Sequence, residues 1–140
     1  MEVRIATVDD AEGLFGLNEL FENDTTIGLL KKSLIENGRE VVCIAYVGGV
    51  PAGYCSGLIV RSMCYAECRG DIEALFVREE YRRQGVGRAL LKCLEKALAA
   101  YGVAHYHINT HAENKNAQSL YRELGYIKTG EILMEKTNLQ

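Results

Sequence analysis

The stretch YRRQGVGRALL runs from Tyr81 to Leu91. It follows the apolar, β-rich run DIEALFV (Asp71–Val77). It leads into Leu90, Leu91, Leu94, Ala97, Leu98 and Tyr101, which repeat at helical spacing until Gly102 stops them. The unit is therefore strand, glycine-bearing loop, helix. A helix N-terminus leaves about four backbone N–H groups without intrahelical partners, and the macrodipole adds partial positive charge there. Gly85 and Gly87 allow close approach to a ligand, and Arg82, Arg83 and Arg88 add donors suited to phosphate. The pattern fits a pyrophosphate cradle; a tight turn with solvated arginines is the plain alternative. No Lys-Ser/Thr pair follows the glycines as in a nucleotide P-loop. Ala89 and Leu90 follow Gly87 where a dinucleotide fingerprint needs a third glycine. A dinucleotide fold would also open with this unit.

Outward from this unit, VRIA (Val3–Ala6) suits a short strand. Thr7, three residues before Asp10, resembles a capping box ahead of a helix with Ala11, Leu14, Phe15 and Asn18 on one face. ENDTT (Glu22–Thr26) breaks that helix, and Ile27, Leu30 and Leu34 mark a second, ending near Asn37-Gly38. EVVCIAYV (Glu40–Val47) and VPAGYCSGLIV (Val50–Val60) read as a hairpin turned at Gly48-Gly49. RSMCYAECR fits either a strand end or a loop. After the third helix come a strand over Ala104–Thr110, a helix marked by Ala117, Leu120, Tyr121 and Leu124 and closed by Gly125, and a last strand over Glu131–Thr137. One more short strand is expected around Tyr126–Lys128. The expected fold is α/β, with four helices and a mixed, mostly antiparallel sheet of six to seven strands whose parallel pairing spans the third helix.

The chain has 140 residues, 48% hydrophobic and 25% charged, which fits one soluble globular domain spanning 1–140. A net charge of -3 lacks the basic excess of a general nucleic-acid binder. No apolar run reaches membrane-spanning length, and MEVRIATVDD lacks the apolar stretch of a signal peptide. A cytoplasmic protein without nucleic-acid or membrane partners is expected. Five cysteines, an odd number, read as free thiols; Cys64 and Cys68 lack a second pair for zinc.

Arg82-x-x-Gly85-x-Gly87 after LFV resembles the acetyl-coenzyme-A loop of the GCN5-related N-acetyltransferases (GNAT). A second block, ENKNAQSLYRELGY (Glu113–Tyr126), resembles that family's N-x-x-A-x-x-L-Y-x-x-x-G-[FY] segment through Asn114, Ala117, Leu120, Tyr121, Gly125 and Tyr126. The element order matches the family fold over essentially the whole chain. The resemblance implies helices on both faces of a sheet splayed between its fourth and fifth strands to admit acetyl-CoA. It implies that the backbone of Leu75, Phe76 and Val77 pairs with the pantetheine arm, and that Arg83, Gln84, Gly85, Val86, Gly87 and Arg88 surround the pyrophosphate. Asn114 would cap the last helix and reach the coenzyme arm, and Tyr121 would lie near the thioester sulfur. Dimers are common in the family, so a homodimer is possible.

Acetyl transfer to an amine requires a base for the ammonium proton, a donor for the oxyanion and an acid for the departing thiolate. The Val77 N–H is the candidate donor and Tyr121 the candidate acid, although Tyr121 also lies on the buried stripe of its helix. Glu73 is the candidate base. Strand alternation places Asp71, Glu73, Leu75 and Val77 on one side, and partial burial would raise the Glu73 pKa usefully. A charge that only orders water or pairs with an arginine is the alternative, and many family members use a water chain. The family's ribosomal-protein branch has a Glu five positions before the motif asparagine. Asn109 stands there in this chain, so that base does not transfer. His105, His107 and His111 share strand parity, but no other segment supports a metal, and His107 serves better as an alternative base. The acceptor side is expected to involve Asn18–Thr26, which carries Glu19, Glu22 and Asp24 and no basic residue. Such acid favours a cationic primary amine: an aminoglycoside, a polyamine, a lysine side chain or a peptide amine. A merely solvated acidic loop is the alternative. DIEALFVREEYR is similar to the corresponding stretch of aminoglycoside-type members. A non-catalytic CoA-binding module is the competing class.

Overall fold

The computed structural model describes residues 1–138. They form two compact units, Met1–Asn109 and the segment from Thr110 onward. The first unit holds β1 (Glu2–Ile5), α1 (Ala11–Leu20), α2 (Ile27–Glu36), β2 (Glu40–Val47), β3 (Val50–Val60), β4 (Cys68–Val77), α3 (Val86–Ala99) and β5 (Val103–Ile108). The second holds α4 (Lys115–Glu123).

The strands lie in chain order, antiparallel from β1 to β4 and parallel between β4 and β5. The β2–β3 and β3–β4 pairs are sequential, whereas the chain passes through α1 and α2 between β1 and β2. The parallel pair needs a crossover, which α3 supplies. Short 3₁₀ turns sit at Val8–Asp10 and Glu79–Tyr81. Thr7 and Asp10 form the expected capping box. Asp10 is buried and held by both Arg4 guanidinium NH groups at 2.8 Å and by the Tyr46 hydroxyl at 2.5 Å. Arg4 first, then Tyr46 and the Thr7 amide, keeps its carboxyl well below the usual carboxylate range against the effect of burial.

The third helix buries the predicted Leu90, Leu91, Leu94 and Leu98, together with Val86, while Tyr101 stays exposed. Each fully buried leucine contributes roughly 1.5–3 kcal/mol. The sheet face under α3 is kept low by small residues. A Cβ at Gly53 would meet the Phe76 carbonyl oxygen at 2.6 Å and Leu90 Cδ1 at 3.3 Å. On the opposite face Leu14, Leu17, Ile44, Tyr54 and Phe76 form a core against which Leu30 and Leu34 pack. In α1 the buried positions are Ala11, Leu14 and Leu17, so the apolar stripe is centred on Leu14, and Phe15 and Asn18 are half-buried.

One expectation needs correction. Five strands form among the described residues, not six or seven. Glu131–Thr137 and Tyr126–Lys128 are not strands, and Ile132, Leu133 and Met134 are 80%, 68% and 83% exposed. The apolar pattern makes the segment able to form a strand, but a strand needs a ladder partner, and the unit containing it has only α4. RSMCYAECR, which fits a strand end or a loop, holds both: β4 begins at Cys68, and the residues before it form a loop.

The parallel ladder runs from Cys68↔Val103 to Ile72↔Ile108 and stops there, while β4 continues to Val77. The ladder ends where β5 itself ends, so the edge of β4 beyond Ile72 has no β5 partner.

Candidate active site

Four features of the first unit meet at the far end of β4. The first is its edge beyond the β5 ladder. Arg78 donates its N–H to Ala52 O at 2.8 Å, toward β3. Backbone groups alternate along a strand, so those of Val77 point to the opposite edge, the one β5 does not reach. The Val77 carbonyl accepts from Arg82 Nε at 2.9 Å, which ties the loop to the strand end.

The second feature is the loop itself. Arg83 (φ 62) and Gly85 (φ 83) are both left-handed. Arginine adopts that conformation only under constraint, and glycine adopts it freely. Gln84 Nε2 adds a bond to Glu80 O at 3.1 Å. Gly85 is the N-cap of α3, and no side chain caps that end. Its carbonyl accepts the Ala89 N–H at 3.0 Å. Helix geometry therefore leaves the amides of Val86 and Gly87 ahead of that bond without intrahelical acceptors. Nothing lies within 4 Å of a Cβ built on Gly85. Exposed donors, positive dipole and open space fit an anionic phosphate group, so the residues suit the pyrophosphate of coenzyme A.

The third feature is a bulge. Ser56 pairs with Ala74 and Gly57 with Ile72, so Glu73 is an inserted residue. Gly53, Cys55 and Gly57 face α3, through Leu90, Leu94 and Leu98, and their partners Val77, Leu75 and Ile72 share that face. Phe76 and Ala74 lie on the α1 side. The expectation that Asp71, Glu73, Leu75 and Val77 share one side is thus wrong. The bulge reverses the alternation, as an extra residue must. Leu75 and Val77 face α3, whereas Asp71 belongs to the other face.

The fourth feature is the charge on that other face. Glu73 is exposed, yet its pKa is raised, first by desolvation and then by Asp71 and Glu40. Glu40, which the sequence reading did not single out, accepts from Ser33 Oγ of α2 at 2.6 Å. Asp71 is held by Arg69 at 2.7 Å, so it is not an unpaired carboxylate. His107 lies beside Asp71 in the ladder, while His105 Nε2 is 3.2 Å from Glu67. Among the described residues no cluster of His, Cys, Asp and Glu could hold a metal ion.

Leu75, Phe76, Val77, Arg82–Arg88 and Glu73 are therefore neighbours in the first unit. Asn114 and Tyr121 lie together in the second. Asn114 Oδ1 accepts the Ala117 N–H at 3.2 Å, the expected cap of α4. Gln118 Nε2 binds the carbonyls of His111 and Ala112, each at 3.0 Å, fixing the turn before the helix. Tyr121 is 8% exposed and tilts against Tyr126 with ring centroids 6.0 Å apart. Burial raises its pKa, so the phenol keeps its proton. Left-handed Gly125 ends the helix, and Tyr126 N–H bonds Tyr121 O at 2.9 Å.

The model of the acetyltransferase (GNAT) family matches residues 9–126. The chain belongs to that family. It is accordingly an acetyl-CoA-dependent N-acetyltransferase. Among curated relatives, an acetyltransferase of Yersinia pestis is 29% identical over 141 residues, covering 97% of this chain and 94% of the relative. One of Pectobacterium atrosepticum is 28% identical, covering 90% and 87%. The fold is shared with an aminoglycoside acetyltransferase from an uncultured soil metagenomic sample, solved with sisomicin. That match has a TM-score of 0.85 at 15% identity over 99% of this chain and 96% of the other. It is also shared with AAC(6')-Iy bound to a bisubstrate analogue, with a TM-score of 0.86 at 19% identity over 99% and 98%. No helix among the described residues is long and apolar enough to cross a membrane.

Proposed function

We propose that this acetyltransferase moves the acetyl group of acetyl-CoA directly to the primary amine of a small cationic acceptor in a ternary complex, with residues 1–140 acting as one domain. The family match supports the single domain, since it runs through both compact units. Bound acetyl-CoA supplies a thioester acetyl group that an amine can attack. The observation that carries the reading is the end of β4: its ladder with β5 stops at Ile72, and the uncapped N-terminus of α3 follows the loop tied to Val77.

Val86, Gly87 and the loop arginines bind the diphosphate, and the outward backbone groups of Leu75 and Val77, on either side of Phe76, orient the arm. The Val77 N–H is assigned the carbonyl oxygen. Glu73 takes the ammonium proton, directly or through water; its raised pKa brings its basicity nearer to that of the task. Tyr121 returns a proton to the thiolate from a phenol that burial keeps neutral. Glu73 and the exposed Glu19, Glu22 and Asp24 favour a cation through long-range attraction. The fold relatives above are aminoglycoside acetyltransferases, which agrees with such an acceptor.

The test is a panel of aminoglycosides, polyamines, lysine peptides and uncharged or anionic amines, incubated with acetyl-CoA and followed by free thiol. Cationic small amines should release thiol fastest, with a KM that rises with salt. A best substrate that is anionic, or a lysine peptide preferred over every small amine, would contradict the acceptor assignment.

A further inference from the structure

The turn that follows α1 is held in a conformation its sequence does not favour. Glu22 is left-handed (φ 61), a backbone state that a side chain of its size enters only when its surroundings impose it. Three side chains do so. Asn23 Nδ2 donates to Asn18 Oδ1 at 2.7 Å and to Tyr54 Oη at 2.8 Å, and Tyr54 donates its hydroxyl hydrogen to Asn18 Oδ1 at 3.0 Å. The triangle is closed: Asn18 Oδ1 accepts two of its three hydrogens, one on each lone pair, and Tyr54 Oη accepts the third. It is anchored at both ends: Asn18 Nδ2 binds Leu14 O at 2.9 Å in α1, and Tyr54 stands in the middle of β3. Burial pushes the Tyr54 phenol up to about 12, so its hydroxyl remains a donor across the working pH range.

The place of this triangle matters more than its strength. Tyr54 is the ladder partner of Phe76, and the Phe21 ring stacks on Phe76 with centroids 4.9 Å apart. The turn is therefore seated on the part of β4 that runs past the β5 ladder. It lies on the face that α3 leaves uncovered and that also carries Glu73. Asn18, Asn23 and Tyr54 thus fix the height and pitch of Phe21, Glu22 and Asp24 over the strand to which the acetyl group is assigned.

We propose that Tyr54, with Asn18 and Asn23, is a positioning residue for the acceptor amine: the triangle holds the Phe21–Asp24 turn as a wall of the acceptor site without touching the reacting atoms. The inference rests on the acetyl-transfer reading above. It adds that acceptor recognition depends on a hydroxyl buried below the turn rather than on the exposed carboxylates alone.

Two variants test it. Tyr54→Phe keeps the ring against Phe21 and Phe76 and removes one donor and one acceptor. Asn23→Ala opens the same triangle from an exposed position and leaves β3 intact. Hydrogen exchange reads the turn without catalysis. The amides of Phe21, Glu22 and Asn23, bonded to Leu17, Glu19 and Asn18 at 3.0–3.1 Å, should lose protection in both variants while β3 keeps its own. With the best amine, acceptor kcat/KM should fall roughly tenfold, the scale of one lost hydrogen bond, through KM. The KM for acetyl-CoA should stay within about twofold, since the cradle is untouched. Unchanged exchange at the turn overturns the inference whatever the activity. Faster exchange with unchanged acceptor KM also overturns it, since the triangle would then be structural only. A wild type that acetylates no amine overturns the acetyl-transfer reading itself, and this inference with it.

Discussion

The roles proposed for Tyr121 and Glu73 have opposite requirements. A general acid must hold its proton until the leaving group needs it, and desolvation at Tyr121 favours the protonated phenol. Tyr121→Phe preserves the packing against Tyr126 and removes the hydroxyl. The expected result is a kcat lowered by about 10²–10⁴ with unchanged acetyl-CoA affinity, measured where chemistry limits turnover. A general base must be ionised, and desolvation together with Asp71 and Glu40 raises the pH at which Glu73 ionises. The sign follows directly. Activity should fall as pH drops through that raised pKa, giving an acidic limb in kcat/KM above the ordinary carboxylate range. Glu73→Gln should lower the rate and remove the limb. A limb surviving with the same midpoint would assign it to another group.

At the scale of elements, α3 and its loop were legible because the signals are local. A helical repeat of leucines, glycine at the N-cap and arginines beside it lie within about two dozen residues. The cap at Asn114 and the stop at Gly125 were legible for the same reason. The bulge was not. Nothing in DIEALFV distinguishes a straight strand from one with an inserted Glu73, because the insertion depends on the register with Ser56 and Gly57. Likewise the Asn18–Tyr54 and Asn23–Tyr54 bonds join residues 36 and 31 positions apart, although both asparagines stand in plain view in the NELFEN stretch. The last expected strands failed at the same scale, since an apolar pattern supplies a strand's faces but not its partner. The local part gives its own prediction. Gly87→Asp brings a carboxylate to the first turn of α3, where exposed amides and the dipole attract anions. Calorimetry should show acetyl-CoA binding weakened by at least about tenfold with Tm little changed, because the substitution opposes the ligand's charge rather than the core. Wild-type affinity in this variant would remove the cradle from the account.

For the whole molecule, the account joins an acetyl donor held at the end of β4 to a cation drawn by an acidic face on a chain of net charge -3. No cysteine stands among the assigned groups; of the free cysteines Cys43, Cys55 and Cys68 are buried, Cys93 is half-buried and Cys64 is exposed. The neighbouring Cys55 and then burial also raise the pKa of Cys43, so its thiolate is not available as a nucleophile. Direct attack by the amine while both substrates are bound is therefore the central claim. The most direct measurement is an initial-rate grid in which acetyl-CoA and the best cationic amine are varied together and free thiol is followed. A ternary complex predicts double-reciprocal lines that intersect, and no thiol burst from acetyl-CoA alone. Parallel lines, with a stoichiometric burst and an acetylated protein recovered by mass spectrometry, would show a covalent intermediate and contradict the account.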